Sequence, residues 1–266
     1  MTIAVPTDTR HWRSGLSHAV RAEWTKLGTL RSTRWALFVA LIGTVLVSFL
    51  STHGVERHQP PGFYAREAFD PTNASLAGFA LASLVIGVLS VLSMTGEYGS
   101  GTIRSSLAAS PRRTMFFGAK AIVLGTVALG LGVALSFLSF FVGQAVLSGG
   151  APTATLGDPG VTRALLESSA FLVLLALFGV GIGAIIRHSA GAIATFVGCT
   201  LLLPLVLHDV AGNPDRFIPV MLLGNSVAAV TPVVGALTNT TALLLMALYA
   251  ALALTVGAAL LGRRDA

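Results

Sequence analysis

Only 11% of the 266 residues are Asp, Glu, Lys or Arg, less than half of the roughly 25% usual in a soluble domain. A water-exposed globule so short of charge could not cover its surface with polar groups. With 54% hydrophobic residues and a mean hydropathy of +0.80, the solvent that fits is lipid. Cysteine occurs once, as Cys199 inside an apolar run, which excludes an intramolecular disulfide and a cysteine metal cluster. Lysine occurs twice, as Lys26 and Lys120, among 17 basic residues, and with abundant Ala, Gly and Val this fits a GC-rich bacterial genome.

Catalytic patterns are missing too. No G-x-x-x-x-G-K-[ST] loop is present to cradle a nucleotide phosphate, and no H-E-x-x-H pair to hold zinc. The six histidines are scattered. No catalytic, cofactor-binding or metal-ligating residue is therefore expected in this chain. No segment between apolar runs is long enough to bury a core, and the stretch ahead of the first run is too short to fold alone. That stretch is basic and lacks a small-residue cleavage site, so the first run is expected to be an uncleaved anchor.

A spanning helix needs about 20 apolar residues. Six runs qualify: Trp35–Ser51, Thr72–Thr95, Ala121–Leu147, Ser168–Ile186, Ala190–Leu207 and Thr240–Gly262. None holds Asp, Glu, Lys, Arg or His, and in lipid such runs must be helical to satisfy their own backbone. The fourth and fifth are separated by Arg187, His188 and Ser189 alone, which predicts an antiparallel hairpin. Phe217–Gly235 is also uncharged, but Pro219, Asn225 and Pro232 interrupt it. A re-entrant or interfacial pair of short helices is expected there.

The fold class predicted is an all-α integral membrane protein of six transmembrane helices. Its expected divisions are 1–34, a cytoplasmic tail with an amphipathic helix; 35–262, the membrane domain; and 263–266, a cytoplasmic tail. In that arrangement 13 of the 17 Lys and Arg share one side, and seven of the 11 acids the other. The sides carry net +9 and −3, making up the chain's +6. The positive-inside rule puts both termini in the cytoplasm. Membrane topology accounts for the basic balance, so no nucleic-acid partner is expected, whereas anionic lipid headgroups are. The apolar runs lack the buried ionisable groups that proton-coupled carriers and intramembrane proteases use.

Two basic-side elements carry further information. In residues 12–34, Leu16, Val20, Trp24, Leu27 and Leu30 form one apolar stripe, with Arg21, Lys26 and Arg31 off it. This predicts an interfacial helix with Trp24 at headgroup depth, serving as an anchor, a partner-docking element, or both. In the 96–120 loop, Gly96, Gly99 and Gly101 predict a flexible turn. Thr102 or Ser100 then caps a short helix, Ile103–Ala109, with Ile103 and Leu107 on one face. Ser110 and Pro111 end it and open the next helix. Glu97 is expected either to pair with Arg104, Arg112 or Arg113, or to fix the turn or contact a partner. Gly179 and Gly183 form a G-x-x-x-G pair suited to close helix packing.

The pattern Glu97-x-x-x-Gly101-Thr102, followed by Ser110-Pro111-Arg112-Arg113 and Lys120, resembles the loop in permeases of type-2 class ABC exporters. The segment Glu23-Trp24-x-Lys26-Leu27-x-Thr29-Leu30-Arg31-Ser32-x-Arg34 looks like the elbow helix of bacterial members. The resemblance implies a plasma-membrane permease, usually dimeric, with ATP and magnesium bound by separate ATPase subunits. It implies a coupling helix around Gly101–Ser110 that docks in the ATPase, with Glu97, Thr102, Ile103, Arg104, Leu107, Arg112 and Arg113 at or beside the contact. It also implies a re-entrant segment at Phe217–Gly235. Cargo is expected to be hydrophobic or amphipathic. A secondary transporter, a membrane enzyme and a non-transporting scaffold are the alternatives.

Overall fold

The computed structural model describes residues 9–58, 69–103, 113–149, 151–207, 217–229 and 237–263, and among these there is helix but no strand. Helix α1 (Thr9–Thr29) leads into α2 (Arg31–His58) through Leu30 alone. The N–H of Leu30 donates to Lys26 O and that of Arg34 to Leu30 O, so hydrogen bonding is kept across the junction. The expected elbow helix thus ends at Thr29 instead of Arg34, and α2 begins one turn before the apolar run.

Helix α3 (Pro71–Ser75) is a single turn. Asp70 caps it, its Oδ1 accepting from the N–H groups of Thr72 and Asn73 at 2.9 and 3.2 Å, with Pro71 in the first turn. A break at Leu76–Gly78 separates it from α4 (Phe79–Gly99), so the expected 72–95 span is two elements. Gly78 lies against α2, its N–H donating to Ser48 Oγ at 3.1 Å, and a Cβ there would collide with Thr44 O.

The remaining helices are α5 (Arg113–Leu147), α6 (Val161–Ile186), α7 (Ser189–Val197), α8 (Leu203–Leu207), α9 (Pro219–Val227) and α10 (Asn239–Arg263). Helices α2, α4, α5, α6 and α10 are each long and apolar enough to cross a membrane. The expected fifth crossing, Ala190–Leu207, is α7 and α8 joined by a π-helical turn, Gly198–Leu202. Leu203 N–H reaches back five residues to Gly198 O, and Pro204 has no N–H to continue an α ladder.

The segment between α4 and α5 narrows from the expected 96–120 to 100–112, because α4 runs on to Gly99 and α5 starts at Arg113; Thr102 and Ile103 are helical, and 104–112 lie outside the described residues. An apolar-run criterion stops at the first charge, whereas a helix needs only its backbone bonds. At 1.5 Å per residue α5 is about 52 Å long, well over the roughly 30 Å of hydrocarbon. Its first two turns can stand outside that layer.

Helix α6 is the centre of the bundle, packing on α4, α5 and α10. The core around it includes Phe79, Ile86, Phe140, Phe171, Leu172 and Phe196, all fully buried. Gly179 and Gly183 face α4: a Cβ on the first would lie 2.8 Å from Gly87 O, and on the second 2.9 Å from Met94 Cβ. Gly181, between them, faces α10, where a Cβ would lie 2.5 Å from the carbonyl carbon of Ala253. One short glycine run therefore seats two neighbours.

The ends of the bundle differ. At one, Asp70 Oδ2 accepts from Ala229 N–H at 2.7 Å, and Asn239 Nδ2 donates to Glu167 Oε2 at 3.3 Å and Ala228 O at 3.1 Å. These bonds seat α9 against α3 and α10. The other end gathers α1, the last turns of α4, α6 and α10 and the first turns of α5 and α7. It is the basic end.

A buried ion cluster at the basic end

Glu23 is the most buried described residue of α1, although it sits in a helix that reads as an interfacial strip. Its carboxylate binds two lysines, accepting from Lys26 Nζ on Oε1 at 2.7 Å and from Lys120 Nζ on Oε2 at 2.6 Å. Glu97 Oε1, in the last turns of α4, accepts from the same two, at 3.1 Å from Lys26 and 2.8 Å from Lys120. The four side chains close a neutral ring drawn from α1, α4 and α5. Phe116, one turn before Lys120, offers its ring to both ammonium groups, with centroids 5.7 Å from Lys26 and 5.4 Å from Lys120.

Burial divides the ring. The Lys120 side chain is 4% exposed and that of Lys26 44%. For Lys26, burial works against the charge, yet the hydrogen bond and field of Glu23, joined by Glu97, outweigh it and raise its pKa above the ordinary lysine value. Glu97 Oε2 is buried and has no hydrogen-bond partner among the described residues.

The ring sits directly behind the loop that joins α4 to α5. Ser100 Oγ donates to Gly96 O at 2.8 Å and lies 2.8 Å from Thr102 Oγ1, and Gly101 turns the backbone at φ 70°. That conformation favours glycine. Ile103 is buried with Met94, Phe116, Phe117 and Leu261. Arg113 Nη1 and Arg187 Nη2 donate to the carbonyls of Leu261 and Leu260, at 3.0 and 3.2 Å, capping α10 where its dipole is negative. Arg187 also lies over the Tyr98 ring at 5.1 Å.

Of the site residues read from sequence, Glu97 meets Glu23 and Lys26 in this ring. Gly101 and Thr102 follow Glu97 just beyond the end of α4, Arg113 holds the end of α10, and Ile103 and Leu27 belong to the apolar cluster that includes Phe116. Trp24, 52% exposed, and Leu30, Arg31 and Arg34 lie on the surface. Arg104, Leu107, Ser110, Pro111 and Arg112 lie outside the described residues. Among the described residues the partners of Glu97 are Lys26 and Lys120; on α1, Glu23 and Leu27 face the protein, while Arg21 and Trp24, and Leu30 and Arg31 just after the helix, are exposed. Lys120 and Phe116 were missed as site residues. One signal was available, since the chain's only two lysines are the two cations of this ring.

Comparison with curated proteins gives no match. A family model described as ABC-2 family transporter protein matches residues 19–202, which takes in the whole ring, the loop behind it and the central helix α6. The match covers more than half of the chain, which is therefore a multi-pass membrane protein and permease of the ABC-2 transporter family.

Proposed function

We propose that this permease is the membrane half of a bacterial exporter, driven by ATP hydrolysis on a separate ATPase subunit that docks on the 100–112 segment. The observation that carries this reading is the ion ring. A push on the α4–α5 loop reaches α1, α4 and α5 together, because Glu23, Lys26, Glu97 and Lys120 join them immediately behind it. A motor needs such a stiff footing if the force is to reach spanning helices and not be lost in a loop.

The proposed topology has six crossings, with α7–α8 as the fifth, the basic end in the cytoplasm and both termini there. It is supported by the path of the chain, which leaves the basic end at Ser189 and starts α10 beside Glu167 at the other. Helix α9, at nine residues, is about 14 Å long and too short to cross; it would be the first limb of a re-entrant segment over 217–235, of which 230–235 lie outside the described residues. Residues 1–34 and 263–266 would be cytoplasmic flanks of the 35–262 membrane domain. The uncharged apolar runs suit a hydrophobic or amphipathic cargo, and two permease copies would line its path. ATP and magnesium would belong to the partner.

The test is co-purification with candidate ATPase subunits, followed by crosslinking from Thr102→Cys in a Cys199→Ala background and an ATPase assay. A crosslink and a hydrolysis rate altered by the permease are expected. Neither appearing, with partners that are themselves folded, would leave the scaffold or secondary-carrier reading standing instead.

A further inference from the structure

A cavity of about 700 Å³ opens at the end of the bundle opposite the ion ring, where α6 and α10 begin and α9 ends. That volume lies within the roughly 300–1,000 Å³ of small-molecule sites. Buried Thr72, Val161, Ala229 and Asn239 line it, together with exposed Asp158 and Arg163. Its lining includes no aromatic ring among the described residues. Several donors here lack an acceptor. The Thr72 hydroxyl is buried with no hydrogen-bond partner among the described residues. Arg163 Nε stands 3.8 Å from Glu167 Oε2, too far for a hydrogen bond. Gly160 opens α6 without a side-chain cap; the Val161 N–H goes to Asp158 O, but those of Thr162 and Arg163 have no acceptor among the described residues. Asp158 supplies acceptors: its Oδ2 takes the Thr155 N–H at 2.8 Å, and its Oδ1 has no partner among the described residues. The other carboxylates nearby are committed, Asp70 to the N–H groups of Thr72, Asn73 and Ala229, and Glu167 to Asn239.

We propose that this cavity binds a zwitterion with a primary ammonium and a phosphate, either the headgroup of a phosphatidylethanolamine or the same group free in solution. The phosphate takes the spare donors of Arg163, Thr72 and the first turn of α6, where the helix end favours an anion. The ammonium takes Asp158 Oδ1. A simple anion would leave Asp158 facing a like charge, and a simple cation would do the same to Arg163. A phosphate offers more oxygens to donors converging from several elements than a planar carboxylate does. A choline head has no N–H to give Asp158 and relies on aromatic faces, which this lining lacks. The cation selected is therefore a primary amine.

The experiment uses the full chain, delipidated in neutral detergent. Calorimetry with glycerophosphoethanolamine and glycerophosphocholine tests the free group. Native mass spectrometry with phosphatidylethanolamine and phosphatidylcholine of matched chains tests the lipid. The wild type is expected to prefer the ethanolamine form by at least about tenfold, the worth of one charge-assisted hydrogen bond. That preference with the soluble head assigns the site to a free zwitterion, and with the lipid alone to membrane lipid. Asp158→Asn, which keeps an oxygen for the Thr155 N–H, should bring the two forms near parity. Arg163→Gln should weaken both alike, by about tenfold. Equal binding of the two forms by the wild type, binding of neither, or glycerol phosphate binding as tightly as the zwitterion would overturn the proposal whether or not the variants fold. So would a preference unchanged in Asp158→Asn.

Discussion

Lys120 is held by two carboxylates in a place water barely reaches. Such a ring contributes less to stability than its short distances suggest, because desolvation offsets much of the attraction, but removing one member leaves a buried charge uncompensated. Lys120→Met is therefore expected to cost about 3–5 kcal/mol, read as a fall in thermal midpoint in detergent. Lys26→Met removes a half-exposed partner and should cost under about 1 kcal/mol. Equal losses would show that burial does not set the difference. Combining Glu23→Gln with Lys120→Met should cost clearly less than the two single changes added, because they share one network. Lys26 also sets a pH expectation. Its pKa is raised on folding, so its contribution is complete below the ordinary lysine value of about 10.4 and fades only as pH rises beyond its folded value. The midpoint gap between wild type and Lys26→Met should stay flat from about pH 6 to 9 and close in strong alkali. Helix periodicity brings Glu23 and Lys26 together at i,i+3, but does not give the pairing with Glu97 and Lys120. A stripe of leucines predicts which face is apolar, but not that Glu23, set on that face between Leu27 and Leu30, joins Lys120 from α5 and Glu97 from α4 in one network.

Among the elements, α6 carries the closest packing, and its glycines were legible as a spacing before their neighbours were known. Gly179 and Gly183 lie against α4 and Gly181 against α10, with backbone atoms where side chains would stand. Gly183→Leu should push α4 away and destabilise by at least the roughly 1–3 kcal/mol of overpacking. Gly118, in the first turns of α5, has nothing within 4 Å of where its Cβ would be. Gly118→Ala should leave the midpoint unchanged or raise it by up to about 1 kcal/mol in stability. Thermal unfolding of both variants in one detergent checks the pair, and similar behaviour would contradict this packing. Helix ends were harder to read than helix existence. Hydropathy stops at Glu97 and Lys120 because each is charged, yet both sit in helices and neutralise each other. The break at Leu76–Gly78 and the π turn before Pro204 also lie inside uniformly apolar runs, where hydropathy has no contrast to report them.

For the molecule as a whole, the charge asymmetry was plain from the sequence, and the structure places Lys26, Arg113, Lys120 and Arg187 together at one end, with Arg163 beside Glu167 at the other. What joins them, a neutral ring behind a short loop, depends on three segments distant in sequence and could not be read from any one of them. The account stands on that end facing the cytoplasm, since no ATPase could otherwise reach the loop. The direct measurement is labelling by a membrane-impermeant maleimide in a Cys199→Ala background, with Thr102→Cys at the loop and Thr155→Cys at the opposite end. In intact cells Thr155→Cys should label and Thr102→Cys should not, with Thr102→Cys reacting only once the membrane is opened. Labelling of Thr102→Cys from outside would contradict the account.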